Sequence, residues 1–150
     1  MSRLTQYCRE MAIAMKTGPD IVDITSRLRD ALSASTVIDG MLWATSVGST
    51  GSMTTIEFEP GVVADLKAAI QRLAPTDLDY AHERAWQDGN GHSHVQAALL
   101  GSTVGVAVRA GRLVLGIWQQ VVVINHDNRP RKRIVEVTVM GTTGHVDAHE

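Results

Sequence analysis

Residues 103–125, TVGVAVRAGRLVLGIWQQVVVIN, decide the fold. Val104, Val106 and Val108 alternate with other residues, the period-2 pattern of a strand buried on one face. Ala110-Gly111 turns the chain, and Leu113, Leu115 and Ile117 alternate on the way back, which predicts a hairpin. Gln120–Asn125 is then apolar on both faces, as a central strand is.

Downstream, His126-Asp-Asn-Arg-Pro130 is turn chemistry, and Val135, Val137 and Val139 line one face of a last strand. Residues 141–150 read as a mobile tail. Upstream, His94–Leu100 predicts a short helix stopped by Gly101. Thr76–Gly91 is polar and irregular, a loop longer than a small domain needs for connection alone. Pro60 suits a helix first turn, with Val63, Leu66, Ile70 and Leu73 on one face. Met53–Glu57 and Met41–Val47 read as strands flanking Gly48-Ser-Thr-Gly-Ser52, and Asp39-Gly40 ends the connection before them. Thr25 or Ser26 can cap a helix carrying Leu28, Ala31 and Leu32. Ile21–Ile24 and Met11–Met15 are strands joined by the Gly-Pro turn of Lys16–Asp20. The expected fold is a single α+β domain of two packed mixed or antiparallel sheets with two to three helices.

Composition narrows the function classes. A chain of 150 residues with 44% hydrophobic side chains can bury a core without staples. A net charge of −2 provides no global field for nucleic acid or anionic membrane. The single cysteine, Cys8, excludes an internal disulfide and a Cys-rich zinc site, and reads as a small buried hydrophobe. Without a long apolar run or N-terminal h-region, the expected location is the cytoplasm.

Chemistry concentrates at residues 80–94. His82, His92 and His94 stand with Asp79, Glu83 and Asp88, and three imidazoles with an open fourth position suit a zinc-type ion. Side chains two apart share a face only in extended chain, so His92 and His94 converge if Gly91–His94 is extended or a non-helical entry. Gly89-Asn-Gly91 makes that conformation accessible. A helix N-terminus also favours anions, so phosphate competes with metal for this segment. A cap at His92 or Ser93 beside a solvent-facing His82 is the plain alternative.

Tyr80-Ala-His82, Asp88-Gly-Asn-Gly-His-Ser-His94, Ala98-Leu-Leu-Gly-Ser102 and Gly111-Arg-Leu-Val-Leu-Gly-Ile-Trp-Gln119 together resemble the YjbQ family, over roughly residues 11 to 141. Members of that family are described as secondary thiamine-phosphate synthase enzymes. The resemblance implies a two-sheet α+β subunit assembled as a homotrimer, with a His-rich pocket near a subunit boundary. It implies His82, His92 and His94 as metal ligands, and Asp88 and Asn90 as the acidic turn beside them. Many members carry His-Thr-Thr-Ala followed six residues later by Glu. Here Gly48-Ser-Thr-Gly51 precedes Glu57, so Gly48 stands where that histidine would be, which resembles a Gly-Ser-Thr branch.

The implied reaction condenses a pyrimidine-methyl diphosphate with a thiazole phosphate. Glu57 and Asp88 would orient metal, water or substrate. Ser49 and Thr50 could present hydroxyls and backbone N–H groups to phosphate, as an anion nest does. Arg112 could bind phosphate bidentately, Asn90 and Gln119 could line the pocket. The cofactor is a divalent metal, zinc-like at the histidines or magnesium with a diphosphate; magnesium prefers oxygen donors over three imidazoles. Metal-dependent hydrolysis of a phosphorylated metabolite, or binding of one without turnover, are the alternatives. The basic run Arg129-Pro-Arg-Lys-Arg133 reads as a solvated rim, since no interleaved aromatic residues support nucleic-acid stacking.

Overall fold

The computed structural model describes residues 3–144. The elements are β1 (Leu4–Met15), β2 (Asp20–Asp23), α1 (Thr25–Ser35), β3 (Asp39–Val47), β4 (Gly51–Ile56), α2 (Pro60–Leu73), α3 (Ala81–Trp86), α4 (Gly91–Leu100), β5 (Thr103–Arg109), β6 (Arg112–Leu113), β7 (Gln120–Asn125) and β8 (Arg131–Thr142). Five strands form one sheet in the order β1-β8-β3-β5-β6, and three form a second in the order β2-β7-β4. Every pairing is antiparallel, so the mixed alternative drops out.

β7 is the centre of the molecule, as its unbroken apolar run predicts. Val121 and Val123 pack with Leu42, Val106, Val135 and Leu28 between the sheets and α1. Val122 and Ile124 point the other way, onto Ile70 and Leu100. The three-stranded sheet is therefore covered by the larger sheet on one face and by α2 and α4 on the other, and burial of apolar area on both faces holds the layers together.

Several expected boundaries move. β1 begins at Leu4 because it pairs with β8 along its whole length, from Leu4↔Thr142 to Met15↔Arg131. That register also draws Gly141 and Thr142 out of the expected tail and into β8; residues 145–150 lie outside the described residues. β6 stops at Leu113, so the returning strand expected through Ile117 is only two residues long, and Ile117 is 83% exposed. β3 starts at Asp39 rather than after it. Thr25 does not cap α1: its hydroxyl bonds Asp23 Oδ1 at 2.6 Å and its Oγ1 accepts from Val121 N at 2.9 Å, tying the helix start to β7. Leu73 is exposed and only Ile70 of α2 is fully buried, because α2 touches the sheet along a narrow stripe. Cys8 is exposed on the outer face of β1. Among the described residues no helix is long and apolar enough to cross a membrane.

Candidate functional site

The loop expected over 76–91 contains α3, and α3 is what brings the site together. Glu83 on this helix caps the next one: its Oε1 accepts from Gly91 N at 2.8 Å and its Oε2 from Gly89 N at 2.7 Å. These bonds satisfy amides that a helix start leaves free. The bond from Gly91, then that from Gly89, hold the Glu83 carboxyl below the usual carboxylate range. Gly91 is required by space, since a Cβ there would collide with the Tyr80 side chain.

The capped turn sets Asp88 against His82. Asp88 Oδ1 accepts from Asn90 N at 3.1 Å and lies 3.2 Å from His82 Nε2. Partial burial pushes the Asp88 carboxyl up, but the Asn90 bond and His82 outweigh it and leave it lowered. The His82–Asp88 approach has ion-pair distance without hydrogen-bond alignment, so buried Nε2 has no hydrogen-bond partner. One donor atom each from His82, Glu83 and Asp88 lie within 4.8 Å of one another. A cation with bonds of about 2.1 Å to nitrogen and oxygen holds its donors no more than about 4.2 Å apart, so the three side chains would close in slightly around one. The buried imidazole nitrogen beside Asp88, with Glu83 in the same group, thus fits a divalent ion.

His92 and His94 stand outside that group. α4 begins at Gly91, so both lie in its first turn, where side chains two apart diverge. The extended entry that would bring them together is absent. His94 packs its ring 4.5 Å from that of His82 and lines a cavity of about 420 Å³ with Gly48, Ser49, Gly51, Ala97 and Ser102. His92 is turned inward, with Nε2 3.1 Å from Ser93 Oγ. Burial lowers its basicity against the opposing pull of Glu83 and Asp127.

The other expected residues disperse. Ser49 is exposed on the cavity wall. Thr50 is buried, donating to Asp127 Oδ2 at 2.9 Å and accepting from Arg133 at 2.6 Å. Asn90 is buried, with Oδ1 accepting from Asn128 N at 3.1 Å. Glu57 is exposed between β4 and α2; the residue that caps α2 is Glu59, which accepts from Gly61 N and Val62 N. Gln119 donates to Thr55 at 3.1 Å and lines a different cavity, beside β5. Arg112 lies with Arg29, Leu32 and Ser33 against α1, so within one chain it does not reach the histidines.

A buried polar network that local sequence pattern does not reveal surrounds the β7–β8 turn. Gln96 Nε2 donates to Ala74 O at 2.9 Å, so Gln96 Oε1 must accept from His126 Nδ1 at 3.0 Å. His126 Nε2 then accepts from Ser52 Oγ at 2.7 Å. Burial, reinforced by Arg133 and His92, depresses the His126 pKa to about 4. Asp127 accepts from Arg131 Nε at 2.9 Å as well as from Thr50. Arg133 is 6% exposed, so the basic run is not wholly a solvated rim. The signal was present: Arg133 is in phase with Val135, Val137 and Val139, and alternation aims it inward.

Fold and site together define a two-sheet α+β domain with an acidic-histidine cluster beside an open cavity. The family model described as UPF0047 protein YjbQ-like matches residues 9–142, and the chain belongs to that family. A UPF0047 protein of Methanothermobacter thermautotrophicus is 31% identical over 135 residues, covering 90% of this chain and 92% of its own. UPF0047 protein YjbQ of Salmonella typhimurium is 29% identical, covering 79% and 86%. Among solved structures, a YjbQ/UPF0047 family protein from Clostridium acetobutylicum has a TM-score of 0.80 at 30% identity, covering 87% of this chain and 98% of that one. A YbjQ-like protein of unknown function from Sulfolobus solfataricus shares the fold, with a TM-score of 0.88 at 24% identity, covering 93% and 99%.

Proposed function

We propose that this protein is a metal-dependent enzyme acting on a phosphorylated small molecule. The observation that carries the reading is the buried, unpartnered Nε2 of His82 facing Glu83 and Asp88 beside an open cavity. One imidazole and two carboxylates form a harder donor set than three imidazoles, which admits magnesium or manganese as well as zinc. A divalent ion held there supplies charge neutralisation to a leaving phosphate or diphosphate. The protein's own part is positioning. Glu83 is fixed by two amides, Asp88 by Asn90, and His94 faces the cavity where it can exchange a proton with bound substrate.

The finer reaction is the condensation of a pyrimidine-methyl diphosphate with a thiazole phosphate, supported by the YjbQ motifs and by this pairing of metal cluster and cavity. The active form is a homotrimer, a reading supported by Ile117 and Trp118, 83% and 70% exposed on the connection before β7. In the trimer, Arg112 and Gln119 serve a substrate from a neighbouring copy.

The test is metal content of the untagged protein by plasma mass spectrometry beside a His82→Ala control, followed by product assays. Near-stoichiometric metal lost in the control, with thiamine phosphate formed from the two precursors, is the expected result. Phosphate release from simple esters that stops on chelation would instead make it a hydrolase. No metal in either sample after reloading would discard the metal site.

A further inference from the structure

We infer that the Gly48–Gly51 loop, laid over the buried guanidinium of Arg133, is the subsite that binds the phosphoryl group of the substrate. The inference rests on the phosphorylated-substrate reading above and adds the residues that hold the anion.

Arg133 is a buried cation with only neutral oxygens in direct contact. Nε donates to Asn125 Oδ1 at 3.1 Å, and NH2 donates to Asn125 Oδ1 and Thr50 Oγ1, both at 2.6 Å. The Asp127 carboxylate reaches it through the Thr50 hydroxyl. NH1, with two N–H groups, has no acceptor among the described residues. Burying a guanidinium without a directly bonded carboxylate is costly, and an anionic ligand on the free nitrogen would offset that cost.

The glycines leave the space beside the guanidinium unfilled. A Cβ at Gly48 would stand 3.2 Å from NH1, and one at Gly51 would stand 3.1 Å from Nε and 2.7 Å from Ser46 Oγ. Gly48 also has φ +123°, which side chains rarely adopt. Ser46 is 2% exposed and its hydroxyl has no partner, so a second unfilled donor lies against the same loop. Gly48, Ser49 and Gly51 line the cavity that His94 also lines, which sets the anion beside the His82 cluster. Ser49, the exposed side chain of the loop, adds a hydroxyl from the solvent side.

The experiment measures inorganic phosphate binding to the full chain by calorimetry and phosphorus NMR line broadening, with the protein chelator-treated and dialysed. Arg133→Met and Ser49→Asp are compared with wild type, each checked by circular dichroism and thermal melting. Saturable phosphate binding in the metal-free wild type, weakened at least tenfold in both variants, is the expected result. Ser49→Asp changes only an exposed side chain, so it decides the matter if Arg133→Met fails to fold. Phosphate binding that appears only with metal, or that Ser49→Asp leaves unchanged, would overturn the subsite while leaving the metal site standing. Conversely, metal-free binding that both variants weaken would uphold the subsite even if no metal binds at His82.

Discussion

At His126 both ring nitrogens are taken, one by Gln96 and one by Ser52, and the side chain is sealed in the core. At His82, Nε2 is equally hidden from solvent yet lacks a hydrogen bond, 3.2 Å from a carboxylate oxygen it does not align with. Both histidines attach to α4, one beneath it and one through α3. The first is a closed network that ties the three-stranded sheet to α4 and the end of α2; the second leaves a donor set open. Buried polar groups are normally satisfied, which sets His82 apart from His126 and underlies the metal proposal.

Removing the closed histidine has the largest expected effect. His126→Leu leaves Ser52 Oγ and Gln96 Oε1 without partners and should cost about 3 kcal/mol, a fall of roughly 10 °C in melting temperature. Differential scanning calorimetry checks it; a fall under about 2 °C would show that the network contributes little.

The same residue sets an acid response. Its folded pKa of about 4 lies below the unfolded value of 6.5, so the unfolded chain binds the extra proton between those values. His126 therefore costs nothing above pH 6.5, and stability falls as pH drops from 6.5 towards 4, by about 3 kcal/mol in all. Urea midpoints across that window should show the decline in wild type and a flatter profile in His126→Leu.

At the open cluster the order of effects reverses. His82→Ala should change the melting temperature by less than about 3 °C while lowering zinc affinity at least tenfold in a competition titration. A large loss of stability with unchanged affinity would assign His82 to the fold instead. Gly91→Ala tests the link between the two regions. Its methyl group must push Tyr80 and α3 away from α4, costing about 1–3 kcal/mol and weakening metal binding together. The smallest expected change comes from Glu57→Gln, whose exposed position predicts no measurable effect on melting or on metal content.

The strands were legible wherever one face is buried. Val104, Val106 and Val108 gave β5, and Val135, Val137 and Val139 gave β8. β6 was not, because Leu115 and Ile117 keep the alternation of a strand after the pairing with β5 has ended at Leu113. α3 was hidden too: its six polar or exposed residues have no apolar face, and it owes its place to Glu83 capping α4. Of the candidate cluster, the sequence singled out His82 and Asp88, which the structure gathers with Glu83, and His94, which packs against His82. It could not separate His92, whose direction depends on α4 starting at Gly91 rather than three residues later.

Alternation and turn chemistry determined the two-sheet architecture and the doubly covered β7, because burial on one or both faces writes its period directly into the chain. Tertiary structure alone decided which polar groups are closed and which are open. Ser52, Gln96 and His126 meet, as do Thr50, Asn125 and Arg133, because β4 pairs with β7 in the register Gly51↔Asn125 and β8 turns back behind it. Hydrogen-bond satisfaction is a property of such long-range meetings, and no local pattern of residues encodes it.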